Sequence, residues 1–168
     1  MTHDSITKLF RALDEAKVRY LVVGGLAVNA HGFQRFTRDV DLVIDLNPSN
    51  LSRALEAFEN LGYQPRVPVS LASFADPEMR AMWIREKGMM VFSLLSGDDT
   101  DTVVDIFSEE PFPFDEAYRD CFVDQIETGL EVYFVSLDRL IAMKLDAGRE
   151  QDRIDVEHLE KLRDDFEN

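Results

Sequence analysis

Apolar positions recur along this chain with two periods, one near 3.6 residues and one of two, and they predict helices interspersed with strands. Ile6, Leu9, Phe10 and Leu13 stand at helical spacing behind Ser5, read as the N-cap of a first helix. Arg19 to Val23 reads as a short buried strand running into Gly24-Gly25. Leu26 to His31 reads as a short helix stopped by Gly32, and Phe33 to Arg38 as a polar-aromatic loop. Asp39 to Asp45 is a second strand. Asn47-Pro48 opens a third helix along the stripe Leu51, Leu55, Phe58 and Leu61, and Gly62 ends it. Pro77 to Lys87 is again helical. Met89 to Leu95 and Thr102 to Phe107 are strands joined by an acidic turn, Ser96 to Asp101. Phe122 to Ile126 and Glu131 to Val135 bracket Thr128-Gly129 as a hairpin. Ser136 caps a helix through about Asp146, and Gln151 to Phe166 makes the last one.

Strands mixed with helices predict an α/β or α+β fold. No linker, repeat or low-complexity tract divides it, so a core over 1–135 and a helical hairpin over 136–168 are expected to pack as one structural domain. A length of 168 residues, with 45% of them apolar, is enough for a real core. The net charge of −15 argues against coating duplex DNA or binding an anionic membrane. The single Cys121 excludes an internal disulfide and a Cys-based zinc site. No apolar run approaches the roughly 20 residues of a membrane span, and no basic-then-apolar leader opens the chain. A cytoplasmic protein is the expectation.

Asp39 and Asp41 alternate with Val40, Leu42 and Ile44, so the two acids share one face of their strand. Carboxylates ~7 Å apart along a strand repel unless a cation lies between them. A solvated edge strand would show the same pattern. Asp105 interrupts Val103-Val104-Asp105-Ile106-Phe107, a run apolar on both faces, and a carboxylate there needs a partner or a metal unless the strand end frays. Three converging Asp suit Mg²⁺ or Mn²⁺, which take carboxylate oxygens together with substrate phosphates. Gly24-Gly25, between a strand and a helix, can bring backbone amides to a phosphate or simply make a tight turn. GGLAVNAHG lacks the spacing of a dinucleotide-binding loop, and no Gly-Lys-Ser/Thr follows.

Gly24-Gly25, thirteen residues, Asp39-Val40-Asp41 and a later Asp105 together resemble the polymerase-β-type nucleotidyltransferase superfamily. The fuller string GGLAVNAHGFQRFTRDVDLVID is similar to its AbiEii and minimal nucleotidyltransferase branches, which include toxins of toxin–antitoxin pairs. The resemblance implies a mixed twisted sheet flanked by helices, with a C-terminal helical hairpin. It implies Gly24 and Gly25 on the triphosphate and Asp39, Asp41 and Asp105 on two metal ions. The implied reaction moves a nucleoside monophosphate from an NTP to a hydroxyl of a protein, RNA or small molecule. Many superfamily members carry Gly-Ser where this chain has Gly24-Gly25, which removes a hydroxyl contact to phosphate. AbiEii-like toxins are also usually longer, so the acceptor is left open. The other reading is a non-catalytic nucleotide-binding or interaction module on the same fold, with a partner protein or a second copy of the chain.

The last two helices carry charges where apolar residues belong. Leu137, Leu140 and Ile141 continue to Lys144, while Leu159, Leu162 and Phe166 extend backwards to Asp155 and Asp152. One reading is a buried salt bridge that pins the turn. The other puts Lys144 on a nucleotide phosphate with Asp152 and Asp155 beside it, and the resemblance, which matches Lys144, Arg149, Asp152 and Asp155 to a family segment, favours the latter. Arg35 and Arg38 are candidates for triphosphate oxygens, or a solvated loop residue and a partner of local acids, respectively. His31 reads as a helix-end hydrogen bonder, and Trp83, Phe112 and Phe114 as core or interface.

Overall fold

The computed structural model describes residues 1–97 and 102–168, and the expected acidic turn falls partly outside them, at 98–101. The helices are α1 (His3–Glu15), α2 (Gly24–Ala30), α3 (Pro48–Asn60), α4 (Pro77–Lys87), α5 (Phe114–Arg119), α6 (Leu137–Ala147) and α7 (Glu150–Glu167). The strands are β1 (Tyr20–Val23), β2 (Asp39–Ile44), β3 (Tyr63–Pro65), β4 (Val91–Ser96), β5 (Val103–Phe107), β6 (Phe122–Glu127) and β7 (Leu130–Phe134). They form one mixed sheet in the order β3-β4-β5-β2-β1-β7-β6. Strand β2 runs antiparallel to β1 and parallel to β5. It is therefore central, which removes the solvated-edge reading of its two acids.

The expected elements are present with shifted ends, and each shift has a local cause. Thr2, not Ser5, caps α1: its Oγ1 accepts the Ser5 amide at 3.1 Å, and Ser5 is buried inside the first turn. Helix α2 begins at Gly24 rather than Leu26, because Gly24 adopts φ +66° and turns the chain straight from β1 into the helix. Gly129, at φ +77°, closes the two-residue hairpin turn between β6 and β7. Strand β3, helix α5 and a 3₁₀ turn at Leu71–Ala75 were not legible as elements, being three to six residues long.

One face of β2, β5 and β4 is sealed. Val40, Leu42, Phe92, Leu94, Val104 and Ile106 are wholly buried there, and Phe92 stacks on both Phe74 and Trp83. The opposite face, with Asp39, Asp41, Val103, Asp105, Phe107 and Ser93, is only partly covered. This corrects the expectation that Asp105 sits between two apolar surroundings: it lies on the half-open face, so no deep desolvation of that acid is needed. Helix α2 packs on β1 and β2, and α6 packs on α2, which carries the C-terminal hairpin to the glycine turn. No helix is long and apolar enough to cross a membrane among the described residues.

Candidate active site

Sheet register assembles the acids. Asp41 pairs with Asp105 across the parallel strands β2 and β5, and with Val23, the last residue before the glycine turn, across β1. Adjacent strands lie about 4.8 Å apart, so the two carboxylates leave the same face side by side, with Asp39 two residues along. The Ser93 hydroxyl, opposite Asp105 on β4, donates to Asp105 Oδ1. The expected partner for Asp105 is thus partly a neutral one, and its second oxygen is left to other ligands.

The field of this cluster is visible in its proton affinities. Burial pushes Asp41 up to about 7, with further increments from Asp105 and Asp39, while Lys144 and Arg149 pull it back. Asp39 is also raised, by burial and by Asp105, against the opposing pull of Arg66 and Arg38. Like charges held this close favour a proton or a cation.

The glycine turn is moulded around Asp41. A Cβ on Gly24 would lie 2.1 Å from Asp41 Oδ2, so only glycine lets the carboxylate rest against that backbone. A Cβ on Gly25 would lie 2.6 Å from Thr37 Oγ1 and 3.0 Å from an Arg35 nitrogen. No side chain caps the start of α2, leaving its first amide groups to solvent or ligand.

A second cluster backs the first. Lys144 Nζ lies 2.9 Å from both Asp152 Oδ1 and Asp155 Oδ2, and the three side chains are 6%, 1% and 0% exposed. Arg149 donates from Nε to Asp152 Oδ2 at 2.7 Å and from Nη2 to Oδ1 at 3.4 Å, with its side chain largely exposed. Arg35 reaches 120 residues along the chain to Asp155, with Nε 2.8 Å from Oδ1 and Nη2 2.9 Å from Oδ2. Burial alone would raise both acids, yet Arg149 and Lys144 hold Asp152 down to about 2, and Lys144, Gln151 and Arg35 hold Asp155 below its ordinary value. Lys144 is salt-bridged and buried, as the first of its two sequence readings expected, and its charge is felt at Asp41. Arg35 is fixed in this network rather than solvated. Arg38 is exposed, with its guanidinium carbon 5.7 Å from the Phe36 ring centroid.

Sequence reasoning did not find Ser93, Thr37, Asn29 or Arg66. Ser93 had a signal, since it breaks the apolar alternation of β4 as Asp105 breaks that of β5. Asn29 clamps the loop after α2, its side chain exchanging two 2.9 Å hydrogen bonds with the Arg35 backbone, and Arg66 follows a three-residue strand; neither stands in a pattern. His31 hydrogen-bonds the Val135 carbonyl at 2.8 Å, as its helix-end position suggested. Two hollows, of about 330 and 670 Å³, lie elsewhere, against Tyr20, Tyr118 and Tyr133 and between α1 and α3, respectively.

The donor set fits a hard divalent ion. Every candidate ligand is a carboxylate oxygen, the missing Cβ of Gly24 makes room for the Asp41 carboxylate, and the acids repel one another without a cation. No group of three or more His, Cys, Asp or Glu closes into a metal cage among the described residues. Mg²⁺ is ordinarily held by one or two carboxylates plus substrate phosphates, so a closed protein cage is not what this chemistry requires.

Residues 8–166 match the family model described as nucleotidyl transferase AbiEii toxin, type IV TA system. Among solved structures, the lincosamide antibiotic adenylyltransferase LnuA with lincomycin bound is similar at a TM-score of 0.63. The match covers 96% of this chain and 98% of that one at 16% identity. The antibiotic-resistance factor ANT(2'')-Ia is similar at a TM-score of 0.58 and 17% identity, over 98% of this chain and 90% of that one. An antigenic nucleotidyltransferase-like protein from Paracoccidioides brasiliensis is similar at 0.56 and 18% identity, over 95% and 74%. At these identities the likeness is one of fold. No curated protein matches the sequence.

Proposed function

Because this chain belongs to the AbiEii nucleotidyltransferase family, we propose that it moves a nucleoside monophosphate from an NTP to a hydroxyl of a protein, RNA or small molecule, in the cytoplasm and with Mg²⁺ or Mn²⁺. The acceptor oxygen attacks the α-phosphorus in line, the new P–O bond forms as the bond to the β-phosphate oxygen breaks, and pyrophosphate leaves. The observation that carries this reading is the register that sets Asp41 beside Asp105 and against the Gly24 backbone.

Asp39, Asp41 and Asp105 would hold the divalent ions. When bound, such an ion neutralises the triphosphate and lowers the pKa of the attacking hydroxyl. Gly24 and Gly25 allow the triphosphate to approach the backbone at the start of α2. Arg38 donates to phosphate oxygens from the Asp39 side. Lys144 and Arg149 supply positive potential from the Asp41 side, and Asp152 and Asp155 fix their positions. Arg35, tied to Asp155, holds the loop from α2 to β2 in place.

The matched family is described as a toxin of a type IV toxin–antitoxin system, and we extend membership of such a pair to this chain. Incubation with each labelled NTP, Mg²⁺ and whole-cell lysate, followed by mass-resolved detection, tests the activity. Label on protein, RNA or a small molecule that disappears in Asp41→Asn supports it. Metal-dependent NTP binding with no label from any NTP would instead favour the non-catalytic module.

A further inference from the structure

Phe36 is 78% exposed, matched among large apolar side chains only by Phe166 (80%) in the last turn of α7 among the described residues. Unlike Phe166, it stands three residues before Asp39, on the loop that leads into the carboxylate strand. Lone exposed apolar side chains are common on proteins, so exposure by itself assigns nothing. What distinguishes Phe36 is how firmly its surroundings hold it out. The Arg35 Nη1 donates to the Phe36 carbonyl at 3.0 Å, and the same guanidinium is locked on Asp155. Asn29 grips the Arg35 backbone from the other side. Thr37, the next residue, packs on Gly25. The backbone on both sides of the ring is thus tied to the site.

The ring also has a charged companion. Arg38 lies over it at 5.7 Å, makes no salt bridge among the described residues, and acts on Asp39 through its field. An aromatic ring with a guanidinium over it that is still 78% exposed offers surface on which a second planar ring stacks. Gly24 lies against Asp41, and Gly25 lies against Thr37 and Arg35, so the residues on either side of Phe36 border the glycine turn. Of the two substrates, the NTP necessarily carries a planar ring within one nucleoside's length of its phosphates.

We propose that Phe36, with Arg38, is the stacking platform for the nucleobase of the NTP. The proposal rests on the nucleotidyltransferase reading above. Every base presents a π-face, so the platform favours nucleotides over bare polyphosphate without choosing strongly among bases.

The test measures binding of the four NTPs and of inorganic tripolyphosphate, each with Mg²⁺, to the parent protein, Phe36→Ala and Phe36→Trp. Phe36→Ala should weaken every NTP by roughly 5- to 150-fold, the range for losing one base–aromatic stack, and leave tripolyphosphate unchanged. Phe36→Trp should retain NTP affinity, and its emission should change on adding NTP but not tripolyphosphate. Trp83, 2% exposed and stacked on Phe92, provides a constant background. Parent-like NTP affinity in Phe36→Ala, with Mg²⁺-dependent tripolyphosphate binding intact, overturns the platform and leaves the transferase reading standing. Equal loss of NTP and tripolyphosphate also overturns it, because the ring would then only support the loop. A parent protein that binds neither ligand overturns both readings.

Discussion

Replacing Lys144 with Met keeps most of the side chain's volume and removes the charge at the centre of the buried network. The ammonium is 2.9 Å from each of two acids, and none of the three side chains is more than 6% exposed. Breaking a buried ion pair from one side costs about 3–5 kcal/mol, because the remaining charge is left without compensation. Here each acid keeps some support: Asp152 retains Arg149, and Asp155 retains Arg35 and Gln151. The expected loss is therefore at the lower end, about 3 kcal/mol, or a Tm decrease of roughly 6–12 °C for a chain of this size. Asp152→Asn is the appropriate second change, since the exposed Arg149 can return to water, whereas changing Asp155 would strand the mostly covered Arg35. Lys144→Met with Asp152→Asn should recover at least half of the lost stability. The pH dependence has a definite sign. Asp152 is held down to about 2, so its contribution is complete above the ordinary carboxylate pKa of about 3.8 and lost as pH falls through 2. Without Lys144 its folded pKa rises, and the gap between parent and variant should shrink as pH falls from 4 toward 2. Thermal melts by circular dichroism at pH 7 and across that range measure all of this. A Lys144→Met protein melting within about 2 °C of the parent at pH 7 would refute the network's structural role, and parent-like NTP affinity in that variant would refute its contribution to phosphate binding.

Asp41 has the opposite sign. Its folded pKa of about 7 means that its contribution to apo stability is present below pH 3.8 and lost as pH rises through 7. Asp41→Asn should melt higher than the parent at pH 8, melt similarly near pH 4, and transfer no nucleotide in the labelling assay. Because metal and proton compete for the same oxygens, Mg²⁺ or Mn²⁺ should raise the parent's Tm more at pH 8 than at pH 6. Equal shifts in a thermal-shift assay would remove the carboxylates from metal binding. Gly24→Ala forces a non-glycine residue to φ +66° and a methyl group onto Asp41 Oδ2, so it should lose at least ~1–2 kcal/mol in denaturant titration and most of its transfer activity. Removal of divalent ions with EDTA should weaken NTP binding at least ~10-fold by calorimetry, about 1.4 kcal/mol, because the acids then face the triphosphate unneutralised.

The central strands and the two glycines were legible because each departs from a local rule. Acids at alternate positions of β2 and a single acid in β5 contradict apolar alternation, and a Gly-Gly pair between strand and helix needs a reason. The Lys144, Asp152 and Asp155 stripe was legible for the same reason, as charges on core-facing helix positions. What periodicity could not supply was register across the sheet. Nothing local in β4 and β5 says that Ser93 meets Asp105, or that Asp41 and Asp105 lie side by side. Nor does local sequence reveal that Arg35 turns inward to Asp155 while the neighbouring Phe36 turns out. The cap of α1 was misplaced by one turn because Thr2 and Ser5 are both competent caps, and the burial of Ser5 decides between them.

The 120-residue separation between Arg35 and Asp155 also has a consequence for how the protein is made. The three acids, the glycine turn, Arg38 and Arg66 are synthesised by Phe107, but the cations that act on Asp41 and the anchor of the loop arrive only with α6 and the first turns of α7. At a translation rate of about 5–20 residues per second, a nascent chain spends several seconds with Asp41 lacking its cations and the loop untethered. A chain that ends before Asp155 lacks one of the two acids that hold Lys144 and the acid that anchors Arg35. The electrostatic balance of the site is thus completed only when synthesis has nearly run its course.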